Sequence, residues 1–391
     1  MKTGNLCCVA LLMTGLMAMA QTTATNCRTP PPPPTNLKNI NPFVDWQFFR
    51  FLTSHSGFNP YEFDISLKNV AHLTKKWIEK TDGLVLSSPI VVGSYVYVGS
   101  GDGNVYKYVA STGALKWKFA TQGGIFSSPA VTGSTVYVGS GDNNVYAVDA
   151  VTGKQLWSYA AGEPVNSSPA VVGGVVYVGS NDKYIYALKA TTGEEMWSYE
   201  TGGAVFSSPA VTSGVVYVGS NDNNMYALDA KTGKLKWKRA TQGPVRSSPL
   251  VANEMVYFGS DDNDVYAVDA NTGEIKWEAS TENDVVSSPA LAYGVLYIAS
   301  FDKTVYSFEA ANGRLLWTHP TGDYVYSSPA VANCVVYVGS EDGNVYAIDA
   351  RTGQGLWQYT TGEPILSSPA VANGSVYIGS ADKNLYAFRL P

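Results

Sequence analysis

Eight aspartates recur at intervals of 40 residues: Asp102, Asp142, Asp182, Asp222, Asp262, Asp302, Asp342 and Asp382. Carboxylates are the obvious candidates for chemistry here, since calcium needs several oxygens converging on one point. Each of these aspartates, however, sits in a short polar turn, where Asp commonly accepts hydrogen bonds from backbone two residues on. Evenly spaced carboxylates would also lie far apart, so turn formation is the expected role and no metal site is expected. His55, His72 and His319 are the only histidines, and their spacing matches no metal-ligand pattern. The chain has no Gly-x-Ser-x-Gly nucleophile elbow, phosphate-cradling Gly-rich lysine motif or Cys-x-x-Cys-His site, so no catalytic residue is assigned.

A second set of candidates comes from the places where the repeat varies. Ser-Ser-Pro opens every unit, at Ser87, Ser127, Ser167, Ser207, Ser247, Ser287, Ser327 and Ser367. The residue just before it runs Leu86, Phe126, Asn166, Phe206, Arg246, Val286, Tyr326 and Leu366. Aromatic residues and arginine together are what binding hot spots favour. Phe126, Asn166, Phe206, Arg246 and Tyr326 are therefore the candidate binding residues, expected near the mouth of a central channel. The paired serines would line the same channel, where small hydroxyls relieve crowding.

The elements that position these residues follow from one unit. After Ser207 come an apolar triplet, a Ser-Gly break, Val215-Val-Tyr-Val-Gly-Ser, a polar turn, Met225-Tyr-Ala-Leu-Asp, another turn, and Lys234-Leu-Lys-Trp-Lys. Runs this short, rich in Val and Tyr and bounded by turn residues, are strands. The two-residue breaks, such as Gly173-Gly174 and Asn373-Gly374, tolerate the positive φ of tight hairpins, which implies an antiparallel meander. A 40-residue period signals a propeller or solenoid.

Tryptophan marks every unit, at Trp77, Trp117, Trp157, Trp197, Trp237, Trp277, Trp317 and Trp357. A structural role is expected for all eight, filling the wedge between neighbouring blades. The last unit ends at Pro391 without a tryptophan strand, and the missing strand is Leu73 to Lys80. The expected fold is thus all-β, an eight-bladed β-propeller of four-stranded antiparallel blades, closed by pairing of the N- and C-terminal strands in one blade. Closure leaves only short edges open to unwanted pairing.

The pattern Ala-x-Asp-Ala-x-Thr-Gly-x-x-x-Trp, as in Ala227 to Trp237, resembles the tryptophan-docking repeat of the pyrroloquinoline-quinone (PQQ)-like propellers. That superfamily includes quinoprotein dehydrogenases and the BamB outer-membrane assembly propellers. Trp46-Gln-Phe-Phe-Arg50, His55-Ser-Gly57, Asn59-Pro-Tyr-Glu62 and Asn69-Val70 are similar to the lead-in of non-catalytic bacterial members. The resemblance covers roughly 46–391. It is specific for fold and weak for activity.

The expected organisation is a signal peptide over 1–20, a Pro-rich linker over 21–45, a lead-in over 46–70 packing on the propeller, and the propeller over 71–391. Lys2, the apolar run from Leu6 to Ala20 and the small-residue site Ala18-Met19-Ala20 read as a secretory signal. A periplasmic or secreted location follows, with no transmembrane segment in the mature chain. Cys7 and Cys8 would leave with the signal, and Cys27 and Cys334 would remain. A Cys27–Cys334 disulfide and two separate thiols are both compatible with the sequence. Phe43, Trp46, Phe48, Phe49 and Phe51 are expected to pack the tail onto the propeller. A net charge of -6 argues against nucleic acid.

Three functions are open. The resemblance implies an exported, non-catalytic scaffold binding a protein or cell-envelope component, with no cofactor. The alternative it also implies is a PQQ-dependent dehydrogenase of alcohols or sugars, with calcium. Family members of that kind carry an adjacent cysteine pair, and here the adjacent pair is Cys7-Cys8 in the signal. Surface adhesion or glycan binding through the variable aromatic ring is the third.

Overall fold

The structure is a computed structural model that describes residues 45–391. The signal peptide, nearly all of the linker, Cys27 and Phe43 lie outside the described residues. Eight four-stranded antiparallel sheets surround a common axis. Blade one comprises Ile90–Val92, Tyr95–Gly99, Asn104–Val109 and Leu115–Ala120, and each later blade repeats this order 40 residues on. Blade eight takes Ala370–Ala372, Ser375–Gly379 and Asn384–Arg389 from the C-terminus, and Thr74–Lys80 from the N-terminal side. Thr74–Lys80 pairs antiparallel with Asn384–Arg389, with Thr74 opposite Arg389. The expected closure is therefore the observed one.

The second and third strands of a blade are buried on both faces, as in Val215–Ser220 and Asn224–Asp229. Blades stack on both sides of them, so these strands read as nearly continuous apolar runs rather than alternating ones. The outer strand alternates, because one face meets the neighbouring blade and the other meets solvent. The two-residue breaks adopt positive φ, 60° and 79° at Gly173-Gly174 and 56° and 66° at Asn373-Gly374.

The tryptophans weld the blades together. Trp157 Nε1 donates to the Ala190 carbonyl of the next blade at 2.9 Å, and Tyr137 Oη donates to the same oxygen at 3.1 Å. The indole lies under Gly193, where a Cβ would stand 2.6 Å from a ring carbon and where φ is +73°. Close contact and a left-handed backbone together demand glycine in the Thr-Gly turn.

Blade one departs from this pattern. Lys107 stands where most blades have alanine, and its buried ammonium donates to the Ala150 carbonyl at 2.7 Å. It also lies 3.8 Å from the centre of the Tyr95 ring, a cation–π contact.

Residues 45–65 do more than coat one face. The three-residue inner strand of each blade leaves an unpaired edge towards the axis, and the lead-in bonds to that edge in every blade but the third. Val91 and Trp46 exchange backbone hydrogen bonds, and Val131, Val211, Val251, Leu291 and Val331 donate to the carbonyls of Gln47, Thr53, Ser54, Ser56 and Gly57. Phe58–Asn59 adds a short parallel strand beside Ala330–Ala332, and the Asn59 side chain donates to Val371 O. Trp46, Phe48 and Phe51 are buried. The lead-in thus threads one end of the channel.

Candidate binding site on the propeller axis

The inner strands begin with Ser-Ser-Pro because both hydroxyls bond there. The backbone N–H of Ser88 donates to Ser128 Oγ at 2.9 Å. The same bond recurs from blade to blade until the N–H of Ser368 donates to Ser88 Oγ at 2.9 Å. Eight blades are thus tied by a closed belt of eight hydrogen bonds around the axis. In seven blades the first serine of the pair accepts a backbone N–H of its own blade, as when Ser207 Oγ accepts the Gly219 N–H at 3.0 Å, and in the remaining one Ser247 Oγ donates to the Ser287 carbonyl of the next blade at 2.9 Å. Crowding relief is therefore only part of the serine role, and both hydroxyls are fixed points of the architecture.

Above the belt, the loop entering each inner strand delivers the varying residue. Leu86, Phe126, Asn166, Phe206, Arg246, Val286, Tyr326 and Leu366 all line one cavity with the second serines. Its volume is about 360 Å³. Phe49 of the lead-in closes it from the opposite face, so the channel is a blind well. Phe126, Phe206 and Tyr326 remain substantially exposed at its rim, at 43%, 38% and 38%.

Below the well, the lead-in holds a charge. Arg50 is buried and donates to the carbonyls of Pro329 and Pro289. Burial lowers its pKa to about 9, so the cation persists at neutral pH. His55 is buried beside it, with Nδ1 3.0 Å from the Pro249 carbonyl. Burial first and the Arg50 charge second lower the His55 pKa to about 3, which keeps the imidazole neutral.

Arg246 is not free. Its Nε lies 2.6 Å from Asp261 Oδ2 and its Nη2 3.1 Å from Asp284 Oδ2. Burial holds the Asp261 carboxyl above its ordinary value, and Arg246 offsets only part of that rise. Beside this charged cluster, Phe301 contacts Tyr324 and Tyr326 at centroid distances of 5.4 and 5.6 Å. Asp261, Asp284, Phe301 and Tyr324 are functional candidates that the single variable position misses. The same comparison of units finds them: Asp261 and Phe301 stand where other units have Gly101 or Asn221, and Asp284 and Tyr324 where others have Pro164 or Gly124.

The aspartate ring is a set of clamps. In Asp222, Oδ1 accepts the Asn224 N–H at 3.1 Å, while Oδ2 accepts the Tyr226 hydroxyl and the Gly202 N–H, both at 2.6 Å. The tyrosine and inter-blade bonds recur at all eight aspartates. Each carboxylate pins the loop arriving from the preceding blade, as turn formation demands. Among the described residues no cluster of three or more His, Cys, Asp or Glu is arranged to hold a metal, and no helix is long and apolar enough to cross a membrane.

A family profile described as the outer membrane protein assembly factor BamB matches residues 72–204 and 152–251. The β-propeller profile of the beta-alanine-activating enzyme matches 210–390. The chain is a PQQ-like β-propeller. Among solved structures, BamB from Moraxella catarrhalis superimposes with a TM-score of 0.73 at 21% identity, covering 81% of this chain and 99% of that one. A europium-containing methanol dehydrogenase gives 0.78 at 15%, covering 89% and 98%. The quinohemoprotein alcohol dehydrogenase from Comamonas testosteroni gives 0.78 at 17%, covering 95% and 85%. Likeness at this identity is a likeness of fold. No curated protein matches the chain by sequence. The fold is thus shared by an assembly factor and by dehydrogenases.

Proposed function

We propose that this PQQ-like propeller is an exported, non-catalytic, BamB-like scaffold that binds a protein or cell-envelope partner across the mouth of the blind well. The observation that carries the reading is convergence: the positions at which the repeat varies meet around one walled cavity, with Phe126, Phe206 and Tyr326 exposed at its rim. Rigid aromatic anchors around a recess, beside a fixed charge cluster, are what a partner side chain or loop can engage.

The lining is a poor match for the quinone of the dehydrogenase alternative. A tricarboxylate needs several free cations, whereas Arg246 is already bridged by Asp261 and Asp284. A trianion there would face two carboxylates for one arginine, and the belt serines carry no charge.

The test places a photo-crosslinking residue at Phe126 or Phe206 in the exporting cell, with Val151 on the outer rim as the comparison. A defined adduct formed from the well positions and absent from Val151 supports the reading. Equal adducts from all three positions, or saturable binding of the quinone with dye reduction by alcohols, would sink it.

A further inference from the structure

The blade that closes the ring differs from the others in its charges. The third strand ends in an acidic residue in blades two, four, five, six and seven, namely Asp149, Asp229, Asp269, Glu309 and Asp349. In blade two this carboxylate caps the turn that follows, with Asp149 Oδ1 accepting the N–H and hydroxyl of Thr152 at 2.7 and 2.8 Å. Blade three has a cation, Lys189, and its turn supplies Glu194 at 2.6 Å to neutralise it. Blade eight ends its third strand with Arg389, and its outer strand, Thr74–Lys80, comes from the N-terminal side.

A cavity of about 240 Å³ opens at this seam between blades eight and one. Lys76 from the closing strand and Arg389 line it, with the hydroxyl-bearing Ser94, Ser111 and Ser375 and the amide of Asn373. Among the described residues neither cation forms a salt bridge. Carboxylates border the recess as well: Asp45 Oδ1 accepts the Gly93 N–H at 2.7 Å, Glu62 Oε2 accepts the Gly374 N–H at 2.9 Å, and Asp64 lies against Gly374. Burial first and the Arg389 charge second lower the Lys76 pKa, the two cations standing on neighbouring strands of blade eight. A lysine, an arginine and several hydroxyl donors around a small polar recess are the chemistry that recognises a phosphate group.

We propose that this seam is a phosphate-binding site, in which Lys76 and Arg389 hold a phosphate group supplied either by the free anion or by a phospholipid headgroup. The site lies on the face of the hairpin turns, remote from the well mouth, and stands independently of the function proposed for the well.

The experiment titrates the folded mature chain with inorganic phosphate at constant ionic strength by calorimetry, and separately measures co-sedimentation with phosphatidylglycerol vesicles against phosphatidylcholine. The expected result is saturable binding that weakens by on the order of tenfold or more in Lys76→Gln/Arg389→Gln, since charge-assisted hydrogen bonds are lost. Lys116→Gln, the equivalent position in blade one, should leave it unchanged. Ser111→Asp, which puts a carboxylate into the recess, should block binding and keeps the test valid if the double variant fails to fold. Binding of phosphate alone assigns the free anion, and binding of phosphatidylglycerol vesicles with the same dependence assigns the headgroup. Absence of binding in both arms, or binding indifferent to Arg389 and Ser111, overturns the proposal.

Discussion

Trp357 Nε1 donates to the carbonyl of Leu73 at 3.0 Å, across 284 positions of sequence. The other seven tryptophans donate to an alanine carbonyl of the following blade, as Trp317 does to Ala350. Leu73 replaces that alanine because the blade following Trp357 is completed from the N-terminal side. The contact is the lock of the ring.

Trp357→Phe keeps most of the packing and removes this hydrogen bond, so a loss of about 1 kcal/mol is expected. Trp357→Ala also opens a cavity and is expected to cost about 3–5 kcal/mol. Urea unfolding followed by circular dichroism measures both. Equal losses for the two variants would mean that the ring face contributes nothing.

The buried imidazole makes the lead-in sensitive to acid. His55 titrates at about 3 when folded and near 6.5 when free, so the unfolded chain binds the extra proton and the folded one excludes it. Stability is then fully present above pH 6.5 and is lost as pH falls towards 3, by up to about 1.4 kcal/mol per pH unit. The groups facing the ring are the Arg50 charge, the Pro249 carbonyl and the Phe49 ring, none of which can accept an additional proton in this range. His55→Asn should show a flatter profile of melting temperature between pH 6.5 and 4.5. Parallel profiles would refute the assignment.

The aspartate clamps predict indifference to chelators. Addition of EDTA should leave the melting temperature unchanged, while Asp222→Ala strands the Gly202 and Asn224 N–H groups and the Tyr226 hydroxyl and is expected to cost about 1–3 kcal/mol. A fall in melting temperature on chelation, restored by calcium, would return these carboxylates to the role of ligands.

Cys334 is disulfide-bonded, and we propose Cys27 as its partner, because Cys7 and Cys8 would leave with the expected signal peptide. Non-reducing peptide mapping of the exported protein should recover the Cys27–Cys334 pair. Cys27→Ala should lower stability by about 2–4 kcal/mol, since the bridge closes a very long loop. Free Cys27 in the mapped protein would contradict the pairing.

The variable ring was legible from the residue before each Ser-Ser-Pro, because identical units can differ only where the architecture makes no demand. The state of Arg246 was not, since Asp261 and Asp284 lie 15 and 38 residues away from it and no local pattern joins them. The serine belt was equally hidden. Seven of its bonds span one full repeat, 40 residues, and the closing one spans 280, so the belt becomes visible only when the blades stand side by side.

Blade number, strand order and ring closure are written in the chain because each rests on local periodicity: strand propensity, turn glycines, and a tryptophan every 40 residues. The blind well and the seam cavity were decided by tertiary structure alone. The lead-in over 46–70 has no repeat of its own, and its path is set by unpaired inner-strand edges contributed by distant blades. The cations Lys76 and Arg389 meet only because closure brings together two ends of the chain more than 300 residues apart. Periodicity encodes contacts between neighbours in sequence, whereas contacts that depend on closing the circle exist only once the last blade has docked on the first.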